Sequence, residues 1–314
     1  MSRRPIIIDT DPGVDDTIAI LLAAASPELE ILGICAVAGN VPLAATRVNA
    51  RKACELAGRP DIPVFAGCSR PLLREPILGK YSGESGLGGM LLPEPTMPEQ
   101  PMHAVDFLSE ILLAAACGER DKVTVCTLGP LTNLAMALAM RPEITEGIEA
   151  IVTMGAAFRA LGNRSPSAEF NILADPHAAR IVLACDAQIT LAPLDMTFQA
   201  LATPDRVGRI RAVDTPVSRT AADLITYYDR NDPARYGAVG GPLHDPTVIA
   251  YLLEPDAFVG RKAWVGVDCE GMLTLGHTVA DWWGQTEYAA NAHVLTGLDS
   301  NRFFALLTDR LGRL

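Results

Sequence analysis

The chain has 314 residues, 49% of them hydrophobic and 20% charged, which is typical of a folded globular protein and argues against a disordered one. Its formal net charge of −11 argues against nucleic acid or an anionic membrane as a partner, because both repel an acidic protein. Seven cysteines lie scattered with no CxxC pair, which favours the reducing cytoplasm over a disulfide framework or a thiolate zinc site. No apolar run approaches the ~18 residues that span a membrane, so a membrane location is not expected.

Apolar strand-like runs alternate with helical patterns over the first two thirds of the chain. The predicted strands cover residues 6–9, 31–39, 62–67, 122–129, 148–156 and 188–195. The predicted helices between them cover residues 15–26, 43–58, 103–117, 130–142 and 175–186. Continuous apolar strands that are each followed by a helix indicate a largely parallel sheet with helices on both faces.

After residue 256 the pattern changes. Residues 263–268 and 273–281 predict a β-hairpin, and a closing helix is expected near 300–313. The Pro- and Gly-rich segment 68–101 is too long for a plain connection and is interpreted as an active-site loop. Because no stretch has the composition of a linker, residues 1–314 are predicted to form a single α/β domain.

The segment DTDPGVDD, residues 9–16, places four aspartates where the first strand meets the first helix. One or two carboxylates are enough to cap a helix and to complement its dipole, but four in eight residues repel one another. A hard cation removes this conflict, and calcium takes about 6–8 oxygen ligands, whereas zinc prefers the His and Cys that this segment lacks. The spacing is not that of an EF-hand. The segment therefore predicts a metal site, with helix capping as the alternative.

A second motif, GNRSPSAEFNILADP, carries three polar side chains, Asn163, Glu169 and Asn171. In an extended chain, alternation would turn Glu169 and Asn171 to one side and Phe170 to the other. Two polar groups that face a crevice suit the adjacent hydroxyls of a sugar. A turn-rich loop exposed to solvent is the alternative.

A third motif, PLHDPTVIAYLL, places Asp245 before a proline, the sequence context of a helix N-cap. His244 beside it is either structural or an acid near the substrate. Asp175, which also precedes a proline, is interpreted as a cap.

Two adjacent aromatic pairs are candidates for stacking on a planar ring, because aromatic residues make up only 5% of the chain: Tyr227-Tyr228 and Trp282-Trp283. A dinucleotide fingerprint, a GxSxG elbow and a GxxxxGK[ST] phosphate loop are all missing from the sequence.

Taken together, the motifs resemble those of the inosine–uridine-preferring nucleoside hydrolases. They follow the family's order from Ile6 to about Asp281: DTDPGVDD (9–16), VAGN (37–40), GESGLGG (83–89), LGPLTNLA (128–135), MGAAF (154–158), SAEFN (167–171) and LHDP (243–246). The resemblance implies the Rossmann-like nucleoside hydrolase fold and a calcium-dependent enzyme that hydrolyses the N-glycosidic bond of ribonucleosides to ribose and free base. It also implies a homodimer or homotetramer that acts in nucleoside catabolism or salvage.

The resemblance assigns a role to each motif residue. The implied calcium ligands are three carboxylates and one backbone carbonyl, from Asp11, Asp16, Asp245 and Leu128. The implied ribose contacts are Asp15, Asn40 and Asn171 at the 2′- and 3′-hydroxyls, Asn163 and Glu169 at the 5′-hydroxyl, and Met154 against the sugar. Asp11 would act as general base on the attacking water, and His244 would contact the substrate as a catalytic acid toward the leaving base. Asp9 would orient its neighbours by hydrogen bonds.

Two departures from the family pattern leave the base preference (inosine, uridine, cytidine or another) open. Many purine-competent members carry a His where this chain has Ser82, and some carry a second tyrosine where it has Asp232. A non-catalytic calcium-dependent nucleoside- or sugar-binding protein is the alternative function. A substrate with a 5′-phosphate is disfavoured because Glu169 would repel it.

Overall fold

The structure is a computed structural model that describes residues 3–228 and 232–314. Its strands are β1 (Arg4–Thr10), β2 (Leu29–Ala36), β3 (Val64–Ala66), β4 (Val123–Thr127), β5 (Ile148–Met154), β6 (Ile189–Ala192), β7 (Leu201–Ala202), β8 (Gly241–Pro242), β9 (Phe258–Val267), β10 (Thr278–Asp281) and β11 (Ala292–Leu298). Its helices are α1 (Val14–Ala24), α2 (Leu43–Leu56), α3 (Ala104–Ala116), α4 (Thr132–Met140), α5 (Phe170–Ala174), α6 (Pro176–Leu183), α7 (Leu194–Thr197), α8 (Pro204–Ala212), α9 (Pro216–Tyr227), α10 (Pro233–Tyr236), α11 (Pro246–Leu253) and α12 (Ser300–Leu311). Two 3₁₀ helices cover Pro142–Gly147 and Pro255–Ala257.

One large sheet has the strand order β10-β9-β11-β6-β5-β4-β1-β2-β3. All neighbours from β11 to β3 pair in parallel, whereas β9 runs antiparallel to both β10 and β11. The predicted single α/β domain with a largely parallel sheet is confirmed.

The apolar runs of the central strands bury both faces of this sheet. In β1, Ile6 and Ile8 point into one core and Ile7 into the other, as the two-residue period of a strand requires. Helices α1, α2, α9, α11 and α12 cover the first core, and α3, α4 and α6 cover the second. This double cover explains why the strands read as continuous apolar segments rather than as alternating ones.

The late hairpin is also confirmed, since β9 and β10 pair from Trp264 opposite Asp281 to Val267 opposite Thr278. The sequence prediction missed β11, which lies between β9 and β6 and is parallel to β6. It placed Asp195 at the end of a strand, but β6 ends at Ala192 and Asp195 belongs to α7. Within residues 3–228 and 232–314, the structure has no helix that is both long and apolar enough to cross a membrane.

The carboxyl ends of β1, β2, β4 and β5 meet at one edge of the sheet, as they do in other parallel α/β sheets. The two-stranded sheet of β7 and β8 brings the chain before α11 to the same edge. Leu243 N–H donates to the carbonyl of Ala200, 3.0 Å away, and fixes the approach of His244 and Asp245.

Candidate active site

The aspartate-rich turn after β1 begins helix α1 and buries its charges. Gly13 is the N-cap of α1, and its N–H donates to Asp16 Oδ2 at 2.9 Å. The Thr10 hydroxyl donates to the other oxygen of Asp16. Asp16 therefore does cap the helix, as the alternative interpretation of this segment expects, but this contact uses one aspartate of the four.

Three carboxyl groups form an oxygen cluster at the centre of the site. Ligand atoms of Asp15, Asp16 and Asp245 lie within 4.8 Å of one another, and all three side chains are buried. Asp245 stands at the N-cap position of α11 with a proline after it, but it makes no side-chain capping hydrogen bond. Asp245 is therefore the N-cap residue by position, as its sequence context indicates, but its carboxyl group does not cap the helix and lies in the cluster with that of Asp16 instead. The interpretation of Asp175 as a helix cap is confirmed, since its carboxylate accepts the N–H of Ala178 at 3.0 Å.

Asp11 lies beside this cluster in a space that only glycine neighbours allow. Its Oδ2 accepts the N–H of Asn40 at 2.6 Å. A Cβ on Gly39 would lie 2.1 Å from Asp11 Oδ2, and a Cβ on Gly129 would lie 2.4 Å from Asp11 Oδ1. The glycines of the VAGN and LGP motifs thus make room for the carboxylate, which is only 1% exposed.

Burial of these acids favours their neutral forms in the absence of a cation. Burial and then repulsion from Asp16 raise the pKa of Asp11 well above its ordinary value. Burial and the neighbouring Asp15 raise the pKa of Asp16 to about 6. Burial raises the pKa of Asp9 to about 7, although the hydrogen bond from Asn133 opposes the shift. A site made of oxygen donors with this excess of negative charge fits a hard cation such as Ca²⁺ or Mg²⁺.

The fourth aspartate, Asp9, lies behind the site. Its Oδ1 accepts from Asn133 Nδ2 at 2.8 Å, and the same amide group donates to the carbonyl of Ala36 at 3.3 Å. Asn133 Oδ1 accepts the N–H of Cys68 at 2.7 Å. Asp9 is thus part of a buried network that connects β1, β2 and α4, which agrees with a supporting role.

A wall of polar groups stands opposite the acidic cluster. Asn171 Nδ2 donates to the carbonyls of Leu128, at 2.6 Å, and Met154, at 3.2 Å, and so joins the ends of β4 and β5. Glu169 caps α5 and accepts the N–H of Asn171 at 2.9 Å. Asn163 Oδ1 accepts the N–H of Phe170 at 2.8 Å. The predicted strand alternation is wrong here because Phe170 begins a helix, so its ring lines the cleft together with the polar groups.

His244 is buried at the other end of the cleft. Its Nδ1 lies 2.7 Å from the hydroxyl of Thr197, and its ring meets that of Phe198 edge-on at 5.9 Å. Of the four paired aromatic residues, Tyr228 lines this cleft. The ring of Trp282 packs edge-on against that of Phe158, with 5.4 Å between the centroids, whereas Trp283 is 76% exposed.

The two departures from the family pattern have local explanations. Ser82 is 2% exposed, and its hydroxyl donates to Asn40 Oδ1 at 3.2 Å. Asp232 caps α10 by accepting the N–H of Arg235 at 3.1 Å. The side chain of Ser82 thus contacts Asn40, and that of Asp232 contacts its own helix.

Most of the predicted site residues meet in one cleft. Its lining consists of Asp15, Asn40, Leu128, Met154, Asn163, Glu169, Phe170, Asn171, Tyr228, His244 and Asp245. Asp11 and Asp16 are buried at its base. Sequence reasoning named Tyr228 as a candidate for stacking but missed the contributions of Phe170, Asn133, Thr197, Asp195 and Arg235, although Asn133 stands in the LGPLTNLA motif.

The chain is thus a doubly wound α/β protein with an oxygen-rich acidic cleft at the carboxyl edge of its sheet, where proteins of this class bind their ligands, and the cleft could hold a metal ion. The chain belongs to the inosine-uridine preferring nucleoside hydrolase family, whose pattern matches residues 6–305. It is a ribonucleoside hydrolase, an enzyme that cleaves the N-glycosidic bond, as the sequence predicts. This finding decides against the non-catalytic binding protein.

The relatives cover almost the whole chain. An uncharacterized protein of Schizosaccharomyces pombe is 46% identical over 310 residues, 98% of this chain and 99% of the other. The pyrimidine-specific ribonucleoside hydrolase RihA of Photobacterium profundum is 43% identical over 311 residues, 98% of both chains. The solved structure of a purine-preferring ribonucleoside hydrolase from Gardnerella vaginalis is 30% identical, covers 98% of both chains and superposes with a TM-score of 0.89. The predicted family and fold are confirmed.

Proposed function

We propose that the chain is a calcium-dependent hydrolase of pyrimidine ribonucleosides in which Asp11 is the general base. The observation that carries this proposal is the oxygen cluster of Asp15, Asp16 and Asp245, whose ligand atoms lie within 4.8 Å of one another next to the buried Asp11. General-base catalysis needs a proton acceptor beside a positioned water, and in this proposal Asp11 would be the acceptor and a cation held by the cluster would position the water.

The predicted ligand set is retained, with one addition from the geometry. Asp16 and Asp245 would hold the cation together with Asp11 and the carbonyl of Leu128, and Asp15 is close enough to share in that task. When bound, the cation would orient water and the sugar diol and neutralise the carboxylates. The carbonyl of Leu128 already accepts from Asn171 Nδ2 and has a second lone pair for a further contact.

The side chains divide the remaining work. Asp11 takes a proton from the attacking water, while Asp15, Asn40 and Asn171 fix the ribose hydroxyls. The sugar develops positive charge as the N-glycosidic bond breaks, so the negative cluster beneath it favours the transition state. His244 donates a proton to the leaving base.

The 5′ end and the base are recognised by the rim of the cleft. Asn163 and Glu169 hold the 5′-hydroxyl, and the charge of Glu169 disfavours a 5′-phosphate. Phe170 and Tyr228 offer ring faces or edges to the base. The pyrimidine preference is supported by relatives named as pyrimidine-specific at 42–43% identity, above the 30% of the purine-preferring neighbour.

Two further predictions belong to the same proposal: a homodimer or homotetramer, from the family resemblance, and a cytoplasmic location, from the scattered cysteines. Light scattering on the purified protein measures the first. Cell fractionation measures the second.

The deciding experiment is a screen of uridine, cytidine, inosine, guanosine, adenosine and uridine 5′-monophosphate, read by release of reducing sugar. We expect uridine and cytidine to be hydrolysed fastest, uridine 5′-monophosphate to be resistant, and a chelator to abolish activity until Ca²⁺ is restored. Faster hydrolysis of purines would overturn the base preference. Full activity in chelator would overturn the metal requirement.

A further inference from the structure

The loop that carries Asn163 is held by side chains from two other elements. On one side, the carboxylate of Asp195 accepts three consecutive backbone N–H groups, those of Phe158 at 2.9 Å, Arg159 at 2.7 Å and Ala160 at 3.1 Å. On the other side, the guanidinium of Arg235 donates to the next two carbonyls, of Leu161 at 3.1 Å and Gly162 at 2.9 Å. Residues 158–162, which directly precede Asn163, are thus bound by two oppositely charged groups.

These contacts are stronger than ordinary loop contacts, because in each of them the donor or the acceptor carries a full charge. Both bonds to the carbonyls come from one terminal nitrogen of Arg235, Nη2, while the planar guanidinium also lies over the ring of Phe198, a combination that a lysine ammonium would not match. We name Asp195 and Arg235 together the loop clamp. The clamp supplies hydrogen bonds that a helix or strand would otherwise give to this stretch of backbone.

The clamp is also connected to the catalytic end of the cleft. The Arg235 guanidinium lies over the ring of Phe198, 5.1 Å from its centroid, and that ring contacts His244. Helix α7, which bears Asp195, also places Thr197 against His244 Nδ1. The same short helix therefore positions both the loop and the histidine.

Asn163 itself has a defined orientation at the end of the clamped stretch. Its Oδ1 accepts the N–H of Phe170, and Asn163 lines the cleft, so the NH₂ group is the end of its amide that can donate to a ligand there. Arg164 beside it donates to the carbonyl of Leu78 at 3.2 Å and ties the loop to segment 68–101. An NH₂ donor in this place fits the oxygen of a sugar hydroxyl.

We propose that Asp195 and Arg235 are positioning residues that hold Asn163 in place for the 5′-hydroxyl of the substrate. The inference rests on the proposed function, which gives Asn163 that contact. Neither residue of the clamp touches the substrate. Their main effect is on selectivity for the 5′-hydroxyl, because their hydrogen bonds go to the backbone just before Asn163, whereas Arg235 reaches His244 only through ring packing on Phe198.

The test compares uridine with 5′-deoxyuridine, which lacks the group that Asn163 would hold. Asp195→Asn and Arg235→Gln should each lower kcat/KM for uridine about tenfold, mainly through KM, and should leave 5′-deoxyuridine hydrolysis nearly unchanged. Asn163→Ala should give the same loss of discrimination, and Arg235→Lys should restore only part of it. The matched controls Arg159→Gln, on the same loop, and Asp205→Asn, an exposed carboxylate, should retain the wild-type ratio.

Hydrogen exchange separates failure of this inference from failure of the proposed function. In both clamp variants, the amides of residues 158–163 should exchange faster while the melting temperature stays close to that of the wild type. Unchanged exchange, or equal losses on both substrates, would overturn the clamp even in an active enzyme. A wild type that hydrolyses no ribonucleoside would instead overturn the proposed function, and the exchange result would still decide whether the clamp holds the loop.

Discussion

The floor of the cleft, which contains Asp11, Asp16 and Asn40, and its rim, which contains the loop with Asn163 and the side chains that hold it, are built in different ways. On the floor, Asp11 and Asp16 receive backbone N–H groups from Asn40 and Gly13, whose positions are set by the ends of β1 and β2. On the rim, the loop before α5 is held by the side chains of Asp195 and Arg235. The floor is fixed by the backbone of a buried sheet, whereas the geometry of the rim depends on a few individual side chains.

The two regions also differ in how well they can tolerate amino-acid substitutions. Glycines lie against both oxygens of Asp11, at distances where even one added carbon would collide. The rim contains exposed residues such as Arg235 and Asp232, which can be exchanged without overpacking a core. Chemistry that all members of a family share belongs on such a floor, and substrate selectivity belongs on such a rim. Substitutions on the floor should therefore remove activity, and those on the rim should adjust it.

Asp11→Asn should have the largest effect of the three changes below. The variant keeps the size of the side chain, and its amide oxygen can still accept the N–H of Asn40, but it cannot take a proton from water. We expect kcat to fall by about 10³-fold or more, while affinity for uridine, measured by calorimetry, changes little. The exposed Asp121→Asn is the control for loss of one charge. Turnover close to that of the wild type would sink the assignment of Asp11 as base.

His244→Ala should have an intermediate effect, because His244 lies where floor and rim meet. A poor leaving group needs a proton, and an activated one leaves without it. We expect hydrolysis of uridine to fall about 10²-fold and that of p-nitrophenyl riboside to fall far less. Calcium affinity measured on the same variant checks the neighbouring Asp245. If both substrates suffered equally, His244 would be a positioning or metal-supporting residue, and its role as acid would have to be abandoned.

The floor was predictable from sequence and most of the rim was not. Asp11, Asn40 and Leu128 lie at or just after the carboxyl ends of predicted strands, and these ends meet at one edge of a parallel sheet, so their proximity follows from the fold. The five-residue helix α5 follows no comparable rule, because a segment of that length is compatible with an extended or a helical chain and its cap decides. Asp195 contacts backbone about 35 residues away, a pairing that no local pattern records.

Ser82→Ala should have the smallest effect and tests where the floor ends. The amide of Asn40 donates both hydrogens downward, to Asp16 Oδ2 at 3.1 Å and to the carbonyl of Asp11 at 3.2 Å. Its Oδ1 accepts from Ser82 and has one lone pair for a substrate hydroxyl. Because the acidic floor already fixes the amide, loss of the Ser82 hydroxyl should remove about 1 kcal/mol, or about three- to tenfold in kcat/KM for uridine. Ser85→Ala on the same loop is the control, since the hydroxyl of Ser85 accepts from the nearby Leu87 N–H at 3.2 Å. A loss near 10³-fold would mean that Ser82 acts on the substrate itself, and the boundary between floor and rim would then have to include it.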